Sequence, residues 1–214
     1  MTNVLKMTKL DFFTIKSQLF SYISLAIIIL MFEFIGSSVT ILCITGSWFV
    51  ALMSTTVFAT QEKNNLERLY GSISISLNDI VLGRYVFVFL NYFVSFLLII
   101  VLNFGFALYH GTTVEILDVM LGFSLSFLSF SAITGIQMPM FFKMGYTKAR
   151  AWSLIPFSIV MLLLVIPAFV PALSGFIEFM KLHTKTLIIS GILASCIFQF
   201  VSYKISIILY RKRK

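Results

Sequence analysis

Charge is what this chain has least of. Only 11% of its 214 residues are Asp, Glu, Lys or Arg, whereas a soluble domain carries about 25%, so an ordinary water-facing surface is excluded. Cysteine is nearly absent as well. Cys43 and Cys196 both fall inside apolar runs, where a thiol behaves as a small buried hydrophobe, and neither a disulfide framework nor metal-ligand spacing follows. The two histidines, His110 and His183, stand alone in loops and no HExxH occurs, which argues against a metal-assisted hydrolase. There is no GxxxxGK followed by Ser or Thr, so the chain is not expected to be an enzyme that hydrolyses ATP. The N-terminal MTNVLKMTKLDFFTIKSQLF lacks a small-residue cleavage site, and no removable signal peptide is expected.

What fills the sequence is hydrocarbon. Hydrophobic residues make up 59% of it, 24 of them Phe, and the mean hydropathy is +1.02. A helix crossing a bilayer needs roughly 20 mostly apolar residues, and six such runs occur: 19–34, 39–59, 85–109, 117–138, 151–170 and 186–209. The expected fold is all-α, a polytopic membrane protein with six transmembrane helices. These spans leave too little chain for a soluble domain of ordinary size, so residues 1–214 read as a single transmembrane domain.

Lysine and arginine collect on the cytoplasmic side of membrane proteins. Of the 16 here, 14 fall in the N-terminal segment, the loop at 61–84, the loop at 139–150 and the C-terminal end of the last span; only Lys181 and Lys185 fall on the other side. Both termini are therefore expected in the cytoplasm. The net charge of +8 is accounted for by this rule, and its spread over four segments does not suggest nucleic-acid binding.

Smaller features follow from local pattern. Met7, Leu10 and Phe13 recur at helical spacing beside Lys6, Lys9 and Lys16, so residues 1–17 read as an interfacial elbow helix. In the loop at 61–84, Leu66, Leu69 and Tyr70 lie opposite Glu62, Lys63 and Arg68, the pattern of a short amphipathic helix. Gly71 ends it, and Ser76 with Asp79 has the form of a capping box that starts the third span. Lys143, Lys148 and Arg150 give the second loop its positive charge. The connector at 171–185 is unusually apolar around Phe176, Ile177, Phe179 and Met180; it either re-enters the outer leaflet or packs on the span ends. Asn91, Asn103, Gln137 and Gln199, with the run of Ser124, Ser126, Ser129, Ser131 and Thr134, either bind helices together or line a path for cargo. Pro156 and Pro167 are expected to kink the fifth span. Glu33 is expected at the outer end of the first, and Lys204 near enough to the inner end to snorkel.

The stretch EKNNLERLYGSISISLNDIVLGRYV, residues 62–86, resembles the first cytosolic loop of bacterial ABC-transporter permeases of the type-two exporter class. Within that class it is most similar to the small permease subunits of staphylococcal phenol-soluble modulin exporters. A charged run ending in Leu69–Tyr70, a Ser-Ile-Ser turn and the helix start IVLGRY carry the likeness. Ser74 stands where the family usually has Pro, and Leu77 where it often has a basic residue. The resemblance implies that Glu62, Lys63, Leu66, Glu67, Arg68, Leu69 and Tyr70 form a cytosolic coupling helix between helices 2 and 3, docking on a separate ABC ATPase subunit that holds ATP and Mg. It further implies a homodimer or heterodimer with a second permease copy or paralogue in the bacterial cell membrane, and amphipathic cytolytic peptides as substrate. No cofactor is expected on this chain. An immunity permease that removes antimicrobial peptides from the membrane, and a non-transporting scaffold or sensor, are the alternatives.

Overall fold

The computed structural model describes residues 3–15, 20–66, 75–169 and 183–213. Over these the chain is helical, with no strand: α1 (Asn3–Ile15), α2 (Phe20–Phe34), α3 (Val39–Lys63), α4 (Leu77–His110), α5 (Ile116–Met144), α6 (Tyr146–Trp152), α7 (Leu154–Phe169) and α8 (Thr184–Arg213). Four helices, α3, α4, α5 and α8, are long and apolar enough to cross a membrane. The expected first and fifth spans are represented by α2 and α7, of 15 and 16 residues. Helices of that length rise about 23 Å, less than a hydrocarbon core of about 30 Å. The residues that flank them, 16–19 and 170–182, lie outside those described, and with them Lys16 and most of the apolar connector.

Local chemistry sets the helix boundaries. Ser76 caps α4, its Oγ accepting the backbone N–H of Asp79 at 3.1 Å, which satisfies one of the orphan donors of the first turn. With 34 residues, α4 is about 51 Å long. It therefore starts two turns before the apolar run at 85–109 and carries those turns out of the hydrocarbon. The segment at 139–150 is largely helical rather than a loop: α5 continues through Pro139 to Met144, and α6 follows after a single residue, Gly145. Pro156 sits in the first turn of α7, where a missing N–H leaves no hydrogen bond unmade.

The helix order alternates direction, so α1, the end of α3, the start of α4, α6 and the end of α8 share one end of the bundle. The α2–α3 and α4–α5 turns share the other. At the centre is α5, packed most extensively on α8 and α3. One core joins Val50 and Phe58 of α3, Ile80 and Tyr92 of α4, Phe130 and Phe141 of α5 and Tyr210 of α8, and a smaller one joins Leu25 and Ile29 of α2 to Leu42 and Ile99. Leu108, Leu193, Ile197 and Phe200 are among many large apolar side chains left exposed, as suits a surface that meets lipid tails.

The hydroxyl run of α5 lies in these seams. Ser124 donates to the Ile188 carbonyl at 3.0 Å, Ser129 pairs with Ser47 at 3.0 Å, and Ser126 pairs with Tyr92 Oη at 2.8 Å. All four span amides are engaged too: Gln199 with Thr134, Gln137 with the Ser153 carbonyl, Asn91 with Tyr22 and the Phe87 carbonyl, and Asn103 with Glu33. Small hydroxyls let helices approach closely and satisfy each other's polar groups away from water, so the cross-helix pairs among them hold the bundle together, while Ser131 Oγ, Gln137 Oε1 and Asn103 Oδ1 make no hydrogen bond among the described residues.

Candidate functional site

Glu62 and Lys63 occupy the last turn of α3, which Asn64 caps; Asn65 then takes φ +50 and turns the chain. Leu66 is half-buried against the main core. Glu67, Arg68, Leu69 and Tyr70 lie outside the described residues.

The Glu62 carboxylate reaches across to the joint between α5 and α6. Its Oε2 accepts the backbone N–H groups of Tyr146 at 2.6 Å and Thr147 at 3.1 Å, while Oε1 accepts the Thr147 hydroxyl. Two orphan donors of the α6 first turn are thereby satisfied by a side chain from another helix. Gly145 makes the approach possible. It holds φ +78, and a Cβ there would meet Glu62 Oε2 at 3.1 Å and Arg213 Nη2 at 3.3 Å. The hydrogen bond from the Thr147 hydroxyl, with those from the two backbone N–H groups and the nearby Arg213 charge, holds the Glu62 carboxyl below its ordinary range against the opposing effect of partial burial. The ends of α3, α5 and α8 and the start of α6 thus meet at one carboxylate. Around it Lys63, Lys143, Lys148 and Arg150 are exposed, and Arg211 donates to Asn78 Oδ1 at 3.2 Å, tying α8 to the start of α4.

The second construction at this end is the seat of α1. Its expected apolar stripe holds only in part: Met7 is buried, Leu10 half-buried and Phe13 exposed. Thr8 and Asp11 are buried with Met7 against α4, while Leu5, Phe12 and Phe13 stay exposed beside Lys6 and Lys9. Asp11 Oδ2 lies 3.2 Å from Arg84 Nε, and each side chain is 1% exposed. The Arg84 guanidinium also stacks over the Phe58 ring at 4.6 Å, so one cation joins α1, α3 and α4. Burial pushes the Asp11 carboxyl above its ordinary range, and the Arg84 charge pulls against it. Beside the pair, Thr8 Oγ1 donates to the Gly83 carbonyl at 3.1 Å, and a Cβ on Gly83 would meet Met7 Cβ at 2.7 Å. The helix start IVLGRY is thus the floor on which α1 rests. A sequence signal for this existed: Asp11 is the only acid of the N-terminal segment and lies on the face of Met7 and Thr8.

Two larger cavities of about 450 Å³ each are present. One is an apolar groove between α4 and α8, walled by Leu82, Phe89, Phe93, Phe200 and Tyr203. Gln199, in the same wall, already donates to Thr134. The other, at the opposite end of the bundle, is lined by Glu33, Asn103, His110, Glu115 and Asp118.

Long apolar helices, lipid-facing apolar surface and polar inter-helix seams define a multi-pass α-helical membrane protein. A family model described as ABC-2 family transporter protein matches residues 6–211. The chain belongs to that family, as a membrane-embedded permease subunit of an ABC transporter, a class that works with an ABC ATPase. No curated protein and no solved structure matches the chain.

Proposed function

We propose that this chain is one half of the membrane domain of a bacterial ABC exporter, paired with an identical or paralogous permease in the cell membrane with both termini in the cytoplasm. ATP and Mg²⁺ are held by two partner ATPase chains, and this chain performs no catalysis of its own. Residues 62–70 are the segment the ATPase grips, and the cargo is an amphipathic cytolytic peptide of the phenol-soluble modulin kind. Family membership over residues 6–211 supports the permease reading. The observation that carries the coupling reading is the Glu62 carboxylate.

A lever must be mechanically joined to what it moves. Glu62 stands at the head of the proposed coupling segment, and its hydrogen bonds to Tyr146 and Thr147 pass any displacement of that segment to α6 and, through Gly145, to the central helix α5. Exposed Lys63, Lys143, Lys148 and Arg150 surround the same junction. Their charge suits an acidic groove on a partner, where charge complementarity sets register and the apolar residues of the segment supply affinity.

The test has two arms. Leu66→Asp with Tyr70→Asp should abolish co-purification of the ATPase; retention of the ATPase would remove the coupling assignment. Inverted vesicles should take up amphipathic peptide only with ATP and the ATPase present. Uptake that ignores nucleotide would overturn export, and protection against added peptide without export from the cell would favour immunity.

A further inference from the structure

At the end of the bundle opposite α1, the ends of α2, α4 and α5 and the turns between them line an open cleft of about 450 Å³ whose walls include Glu33, Asn103, Phe106, His110, Glu115 and Asp118. Among the described residues no lysine or arginine lines it, although the chain as a whole carries a net charge of +8. Negative charge has been gathered here against the prevailing sign.

Two side chains in the wall carry unused acceptor capacity. Glu33 is 6% exposed, and its described partner is Asn103 alone, whose Nδ2 donates to Oε1 at 2.6 Å. Glu33 has no ion pair among the described residues. Glu33 is mostly covered but its carboxylate borders the open vestibule, and a carboxylate with one described donor is favoured by a cation placed beside it. Asn103 is likewise 6% exposed, and its Oδ1 has no hydrogen-bond partner. A buried acceptor left unmade costs its full desolvation. Both side chains therefore want donors, and one donor-rich cation supplies both.

We propose that this vestibule binds an organic cation, an alkylammonium or guanidinium group, with Glu33 and Asn103 as its inner acceptors. An ammonium carries three donors and no acceptor, and a guanidinium carries five, which matches a wall that offers acceptors. Phe106 and His110, their rings 4.4 Å apart, add an aromatic face of the kind that attracts cations. Glu115 and Asp118 are exposed at the start of α5, and the Glu115 side chain makes no capping hydrogen bond, so both carboxylates are available to draw a cation in. A bare metal ion is a poorer guest, since no three His, Cys, Asp or Glu side chains among the described residues come close enough to hold one. The volume lies within the 300–1,000 Å³ range of small-ligand sites and admits the alkyl stem as well as the charged head. The cation is either a basic side chain of a peptide at this face or a free polyamine.

The experiment uses the full chain in phosphatidylcholine nanodiscs without an ATPase, so its outcome is separate from that of the transport assays. Isothermal titration calorimetry is run with spermidine, with a short lysine-rich peptide and with the same peptide acetylated at every lysine. Saturable binding of spermidine alone, of the peptide alone or of both supports the site and identifies the source; the acetylated peptide should not bind. Glu33→Gln, which keeps an acceptor for Asn103, should weaken binding roughly tenfold, the scale of one lost charge-assisted contact. Glu115→Gln with Asp118→Asn changes only exposed side chains, keeps the test alive if Glu33→Gln does not fold, and should weaken binding severalfold with a shallower salt dependence. Asp79→Asn, at the other end of the bundle, should change nothing. Absence of saturable binding by either cation, equal binding of the acetylated peptide, or full affinity in both acidic-site variants overturns the proposal.

Discussion

Asp11 and Arg84 form a buried ion pair, Oδ2 to Nε 3.2 Å, at a place where neither side chain is more than 1% exposed. It joins α1, which is not one of the long spans, to α4, the longest of the described helices. A pair so placed costs desolvation on both sides, and it holds because each charge compensates the other. Its worth lies in orientation: α1 has one seat.

Breaking the pair from one side should therefore be worse than removing it. Asp11→Leu or Arg84→Met alone should destabilise the folded state by about 3–5 kcal/mol, because the surviving charge is left buried and alone. The double variant should recover most of that loss. Unfolding in mixed micelles, analysed as a double-mutant cycle, checks it; additive single and double effects would show that the two charges do not depend on each other.

Gly83 should be as sensitive as the pair beside it. A methyl group there lies 2.7 Å from Met7 Cβ, an atom too close to its own backbone to swing away. Gly83→Ala should lift α1 from α4 while leaving the helicity of the spans intact. Faster hydrogen exchange in residues 3–15, with unchanged far-ultraviolet circular dichroism, is the expected result.

The Glu62 junction has a defined pH sense. Its carboxyl is held below the ordinary range, so the folded state binds the proton more weakly than the unfolded chain. The tether is then complete above the usual glutamate value of about 4.3 and is lost as pH falls through the lowered folded-state value. Hydrogen exchange in α6, corrected for intrinsic rates, should stay slow down to mildly acid pH and quicken below it. Glu62→Gln keeps one acceptor oxygen but not the charge, so α6 should exchange faster than in the parent at neutral pH and lose the acid transition; identical acid behaviour in the variant would break the assignment.

Tyr85 offers a test of the polar seams. Its hydroxyl meets Ser202 at 2.6 Å and Ser206 at 2.9 Å, joining α4 to α8. Tyr85→Phe should cost about 1 kcal/mol of stability, the usual net value of a buried hydrogen bond, without changing the fold. Ser202→Ala should cost less, since Ser206 still serves the tyrosine. Equal losses in both would point to packing rather than hydrogen bonding.

Much of this architecture was legible before any coordinate. The start of α4 followed from Ser76 and Asp79, because a cap is made by residues three apart in one chain segment. Helix type followed from lipid, which leaves backbone groups no partner outside the segment. The role of Glu62 was legible only in part. Its place at the head of a charged loop could be read, but its partners Tyr146 and Thr147 stand 84 and 85 positions away, and no local pattern connects them. Arg84 read as one more topology-setting cation, although its single acidic partner lay in plain view on the Met7 face of α1.

By itself the sequence determined that this protein lives in a membrane, that it is helical, and where its long apolar helices run, because those outcomes follow from desolvating a chain segment by segment. Only the tertiary structure decided which faces meet. Lipid tails are as apolar as leucine, so hydrophobicity cannot say which side of a span turns inward. Hydroxyls, amides and a few charges make that choice, and each acts only when a second helix brings its partner within hydrogen-bonding distance.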